Sequence, residues 1–185
     1  MGSKSIKDNL RNLLIERKPK ELLLSYVNEH SCEDLLLDLI FEDNPYVSWR
    51  STWLLSHSNL KTLKELQIDC AKLITVAIKN GTSQHREVLK LLEKIEIPEN
   101  TQSLYFDWAL SLWTNIKNIP SIRISALRAI LGVVKHHPEL QNEIVGINEP
   151  QFLIPLSPGI RIQAERMLKF DFLTNIHPNL LRNSH

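Results

Sequence analysis

The amino-acid sequence predicts an all-α solenoid of four to five helical hairpins, and three observations predict it. A short pattern returns along the chain: Pro45-x-Val47-Ser48, His85-Arg86, Pro120-x-Ile122-Arg123 and Pro158-x-Ile160-Arg161. Val47 to His85 spans 38 residues, His85 to Ile122 spans 37 and Ile122 to Ile160 spans 38, a period that marks an array of stacked helical units. Counting the first apolar residue as position zero, a small residue stands at +4 and apolar ones at +7 and +8. At about 100° per residue these positions share one helix face. No stretch alternates with period two for long enough to form a strand.

The second helix of each unit is expected near 46–57, 84–95, 121–135 and 159–170. Ile122, Ala126, Ala129 and Ile130 carry the stripe in the third unit, and Ile160, Ala164, Met167 and Leu168 in the fourth. Val47, Ser51, Leu54 and Leu55 carry it in the first; the second is degenerate, with His85 at the anchor and Leu89 and Leu92 as the stripe. Pro45, Pro120 and Pro158 suit a helix start, because the first turn has no use for the N–H that proline lacks. Asn44, Gly81, Asn118 and Ser157 stand before those starts, where turn formers and caps belong. Partner first helices are expected at Glu33 to Phe41, Asp69 to Lys79, Gln102 to Ile116 and Glu139 to Val145. Two amphipathic helices, Ser5 to Arg17 and Lys20 to Glu29, precede the array.

The composition, 23% charged and 43% hydrophobic, is that of a globular chain. The expectation is a single repeat domain over 1–185, with capping helices at about 4–29, units at about 32–57, 69–95, 102–135 and 138–170, and a tail at 171–185. Cys32 and Cys70 have neither disulfide nor metal spacing and read as small buried hydrophobes. No apolar run is long enough to span a bilayer, no signal-peptide core is present, and Ile6 breaks the myristoylation motif that Met1-Gly2 would begin. The expected location is the cytoplasm, without membrane association.

Pro120 to Ile130, read as Pro-x-Ile-Arg-x-x-Ala-x-x-Ala-Ile, and Pro158 to Leu168 in the same register resemble the second helix of HEAT repeats. Tyr105-Phe106-Asp107-Trp108, Ser125-Ala126-Leu127, His137-Pro138-Glu139-Leu140 and Ser157-Pro158-Gly159-Ile160-Arg161 resemble, more narrowly, a family of small bacterial HEAT-like proteins. The resemblance implies a right-handed αα superhelix of the ARM type without an established catalytic site. Some members of that family carry an adenylosuccinate lyase label. True lyases resemble one another in a Ser-rich loop containing Met-Pro, whereas Met1 and Met167 precede Gly2 and Leu168 here.

No catalytic, cofactor-binding or metal-binding residues are expected. His136 and His137 project about 100° apart on a helix and cannot chelate together as an i, i+4 pair would. His30, near Cys32 and Asp34, reads as a cap or turn residue, and His57, His85, His177 and His185 show no ligand spacing. Gly-x-Gly-x-x-Gly, P-loop and Gly-x-Ser-x-Gly motifs are all lacking.

Two positional features remain. Arg86, Arg123 and Arg161 share the +1 slot; in HEAT repeats such an arginine bonds an acid or carbonyl of the adjacent unit, so they read as a structural ladder. Arg128 and Arg166 share the +6 slot with Trp53, one turn after Trp49. These four read as the partner-binding residues of a concave surface, because Trp and Arg dominate interaction hot spots. The competing reading of Trp49 and Trp53 is burial beneath the N-terminal helices; Tyr105, Phe106, Trp108 and Trp113 read as core.

A non-catalytic scaffold for a peptide or protein partner is therefore the expected function. The second reading is a nucleic-acid binder of the DNA-alkylation-repeat kind with a basic concave groove, for which Asp107 and Trp108 supply an acid and an aromatic. The net charge of +1, with five acids against Arg50 alone over residues 32–60, disfavours it. The small +4 residues carry a stability prediction: Ala126→Leu and Ala164→Leu should each overpack a helix–helix contact and cost ~1–3 kcal/mol. Thermal melting of the purified variants checks it; unchanged melting temperatures would put the register wrong.

Overall fold

The computed structural model describes residues 3–170, and every regular element among them is helical. The chain forms two compact units, Met1–Pro98 and Glu99–His185. The expected tail at 171–185, with His177 and His185, lies outside the described residues.

The first unit contains α1 (Ser3–Ile15), α2 (Lys20–His30), α3 (Glu33–Ile40), α4 (Pro45–Leu55), α5 (Leu60–Glu65), α6 (Cys70–Asn80) and α7 (Thr82–Leu92). Helices α1 and α2, α3 and α4, and α6 and α7 pair as hairpins, and α4 packs on α1, α2 and α7. Leu10, Leu14, Leu23, Leu36, Leu39, Leu54 and Leu73 are fully buried among them. Asn44 caps α4, its side chain accepting from the Tyr46 and Val47 N–H groups at 3.1 and 3.3 Å. The sequence reading omitted α5, which Asn59 starts by accepting from the Thr62 N–H at 2.9 Å. Lys7 with Asp38 at 3.1 Å and Arg11 with Glu42 at 2.9 Å hold α1 to the α3 hairpin.

The second unit contains α8 (Glu99–Thr114), α9 (Pro120–His136), the 3₁₀ helix η1 (Pro138–Ile144), α10 (Pro150–Leu153) and α11 (Pro158–Phe170). Helix α9 is central, packed against α8, η1 and α11. The four second helices α4, α7, α9 and α11 thus stand where the spacing places them. Ser51, Ala126 and Ala164, each at +4, are completely buried.

The fourth hairpin departs from expectation. Its first arm is a 3₁₀ segment over Pro138–Ile144 followed by the single turn of α10, not one α-helix over Glu139 to Val145. Gly146, two residues past η1, has φ 86°, a conformation that favours glycine, and a Cβ there would stand 2.6 Å from Glu149 Oε1. Pro150 then restarts the chain as α10. The cap expected at Asn118 is also displaced: α9 begins after Ile119 without a side-chain cap, and Asn118 Nδ2 instead donates to the Leu112 carbonyl at 3.0 Å near the end of α8.

One arrangement recurs in two hairpins. The last four carbonyls of a helix have no partner within it, and a side chain at the start of the next helix supplies one. Ser48 Oγ donates to the Ile40 carbonyl at the end of α3. In the α6–α7 hairpin the backbone does this itself, the Gly81 N–H donating to the Ala77 carbonyl at 2.9 Å, while burial pulls the pKa of nearby His85 below the ordinary 6.5. Arg123 Nε donates to the Trp113 carbonyl at 3.0 Å and Nη2 to the Phe152 carbonyl at α10, with the guanidinium 4.9 Å from the Trp113 ring centroid.

Polar contacts also join successive hairpins of the first unit. Gln84 Nε2 donates to Thr52 Oγ1 at 2.7 Å, and Asn80 Nδ2 to Ser48 Oγ at 3.2 Å. Lys94 Nζ donates to the Ser56 carbonyl. Glu87, wholly buried, accepts from Arg86 Nε at 3.0 Å and from Lys90 Nζ at 3.2 Å. Cys32 and Cys70 are buried free thiols; burial pushes Cys32 up to about 11 and raises Cys70 as well.

Arg123 and Arg161 occupy the same slot with different weight, since Arg161 is half-exposed and pairs with Glu165 of its own helix at 3.9 Å. Arg123→Met should leave buried carbonyls without a donor and cost about 3 kcal/mol. Arg161→Ala should change stability by less than about 0.5 kcal/mol. Urea denaturation of the two variants checks the contrast.

Candidate functional site

The residues expected to contact a partner divide between the two units. Trp49 and Trp53, one turn apart on α4, are half-buried. Trp49 leans against Tyr46 with centroids 5.8 Å apart, and Trp53 meets the His57 ring edge-on at 5.1 Å. The guanidinium of Arg50, itself buried, lies 5.7 Å from the Trp53 centroid and 5.9 Å from that of Tyr46, close enough for cation–π attraction. Arg50 is held there by bonds to Tyr46 Oη at 3.1 Å and to the Lys18 carbonyl, between α1 and α2, at 2.8 Å. The α1–α2 hairpin thus reaches Trp53 through Arg50, and both indoles remain only half-buried. Sequence reasoning missed Arg50, although its i+4 relation to Tyr46 places the two on one face.

In the second unit Arg166 is exposed and Arg128 half-buried. Of the three arginines in the +1 slot, Arg123 bonds carbonyls of α8 and α10, Arg86 bonds Glu87 beside it, and Arg161 faces Glu165 on its own helix. Tyr105, Phe106, Trp108 and Trp113 are core, and Trp113 Nε1 donates to the Ile147 carbonyl at 3.1 Å. His30 closes α2, its Nδ1 3.0 Å from the Tyr26 carbonyl and its ring stacked on Tyr26.

A groove of about 320 Å³ in the second unit was absent from the sequence reading. One wall is a stripe of α8: Glu99, Gln102, Ser103, Phe106, Asp107 and Leu110, spaced so that all six share one face. The other is made by Val133 and His137 at the end of α9 with Glu139, Leu140 and Glu143 of η1. Phe106 and Val133 are buried and Leu110 and Leu140 half-buried, whereas Glu99, Asp107, Glu139 and Glu143 are exposed. Neighbouring residues separate in role: Asp107 lines the groove and Trp108 packs inside.

His137 joins the walls. Its Nε2 contacts Gln102 Oε1 of α8, and its Nδ1 lies 3.2 Å from Glu139 Oε1 of η1. The Glu139 carboxyl is held below its ordinary 4.5, first by a hydrogen bond from its own backbone N–H and then by His137. Four carboxylates and no Lys or Arg therefore face the groove. The period-four pattern on α8 was visible in the sequence, but the opposite wall depends on the 3₁₀ conformation of η1. Among the described residues, no group of three or more His, Cys, Asp or Glu side chains is placed to hold a metal ion, and no helix is long and apolar enough to cross a membrane.

Paired helices whose stripes face the next pair define an all-α repeat protein. The family model described as a HEAT repeat domain matches residues 6–170, and the chain belongs to that family. No curated protein and no solved structure matches it significantly.

A pH effect follows at Glu139. Its folded pKa is lowered, so its contribution to stability is present above the unfolded value and is lost as the pH falls through the folded one. A carboxyl-carbon NMR titration should show Glu139 titrating below 4.5. In His137→Ala the value should rise only part of the way back, because the Glu139 N–H remains.

Proposed function

We propose that this HEAT repeat chain is a non-catalytic interaction scaffold that binds a peptide or protein partner on the faces its repeats leave open. The observation that carries this reading is the α8–α9–η1 groove, which has an apolar floor, carboxylates on both walls and no basic side chain. Such a surface suits a polypeptide and repels the phosphates of a duplex, whose binding requires clustered Lys and Arg. HEAT repeats generally serve protein interaction, and the family is typically non-catalytic. The partner-contact residues expected on a concave surface belong to the same proposal: the half-buried Trp49 and Trp53 offer indole surface, and Arg128 and Arg166 offer cations. Arg86, Arg123 and Arg161 are the structural set.

Chemical cross-linking of the full chain in extract of its native cell, beside a duplex-DNA titration at about 0.15 M salt, tests the reading. Captured protein should be reproducible, and duplex affinity should be no tighter than the non-specific range of roughly 10⁻⁴–10⁻⁶ M. Arg166→Ala should weaken capture with a melting shift under about 2 °C, since an exposed side chain contributes little to folding. Tight, salt-sensitive duplex binding without protein capture would replace the scaffold by the nucleic-acid reading.

A further inference from the structure

We infer that the groove of the second unit docks an extended basic segment of a partner protein, about five residues long, in which apolar side chains alternate with Lys or Arg. The inference rests on the scaffold reading and names the chemistry of its partner. Length comes from α8: Glu99 to Leu110 is eleven rises of 1.5 Å, about 16 Å, which an extended chain crosses in about five residues.

Side-chain chemistry comes from the cross-section. The floor offers Phe106, Val133 and Leu140, and successive residues of an extended chain point to opposite sides. Every second side chain can therefore lie on the floor while those between reach the walls. Each wall carries two carboxylates, Glu99 and Asp107 on α8, and Glu139 and Glu143 on η1. The sole lining side chain able to carry positive charge is His137, already engaged by Gln102 and Glu139. The groove is thus charge-complementary to Lys or Arg, whose aliphatic stems can cover the half-buried Leu110 and Leu140 while their heads stay at the rim. An acidic or phosphorylated segment would meet like charge on both sides.

The test is fluorescence anisotropy of the full chain with labelled hexapeptides that alternate leucine with lysine, leucine with glutamate, and serine with lysine. The leucine–lysine peptide should bind at least tenfold more tightly than either of the others, and its affinity should fall as salt rises. Asp107→Asn with Glu143→Gln should weaken it at least tenfold. Both side chains are exposed, so melting should be unchanged, and Glu65→Gln with Glu96→Gln in the first unit should leave binding intact. Equal binding of the leucine–glutamate peptide, or no response to the groove variants, would overturn the charge argument. Equal binding of the serine–lysine peptide would remove the floor and with it the inference. Protein capture by cross-linking that persists in the groove variants, without peptide binding, would end this inference while leaving the scaffold reading standing; loss of all protein capture from the wild-type chain would end both.

Discussion

Each two-helix unit must find partners for the carbonyls left over where its first helix ends, and the rest of the packing is built around that requirement. The turn brings the start of the second helix beside those carbonyls, so a side chain there can supply a donor. Ser48 and Arg123 do so with a hydroxyl and a guanidinium. The donor type can vary because the task is set by the backbone. Only Arg123 is long enough to reach onward to Phe152, so in the second unit one residue closes its own hairpin and ties it to the following segment.

Between hairpins of the first unit the contact is unusually polar for a helical array. Gln84 of α7 donates to Thr52 of α4 and Asn80 at the end of α6 donates to Ser48 of α4, while within α7 buried Glu87 is held by Arg86 and Lys90. Hydrogen bonds have narrower distance and angle limits than apolar contacts, so they restrict how α7 can slide on α4. Their net contribution to stability is small beside that of the leucine core, because water offers the same groups equivalent bonds in the unfolded chain.

The array was legible because its signal is periodic: four anchors one unit apart place four helices, and burial of Ser51, Ala126 and Ala164 follows from the same register. Local chemistry hid the rest. Where an α-helix over Glu139 to Val145 was expected, Pro138 opens a 3₁₀ segment that a turn at Gly146 and the single turn of α10 from Pro150 follow, and no helical periodicity announces a 3₁₀ segment. The acidic groove inherits that difficulty, since Glu139, Leu140 and Glu143 reach it only through η1. On α4 the Trp pair was evident from its spacing. The Arg50 beside Trp53 was less so, because its guanidinium is fixed by a carbonyl at Lys18, a full hairpin earlier in the chain.

The two thiols give the first unit a built-in clock. Cys32 stands at the start of α3 and Cys70 opens α6, both buried and both held protonated by burial. Alkylating reagents attack the thiolate, so modification must wait for the helix start above each sulfur to lift away. The described part of the second unit contains no cysteine. The rate at which label appears would therefore time the breathing of the N-terminal hairpins while the C-terminal ones remain silent.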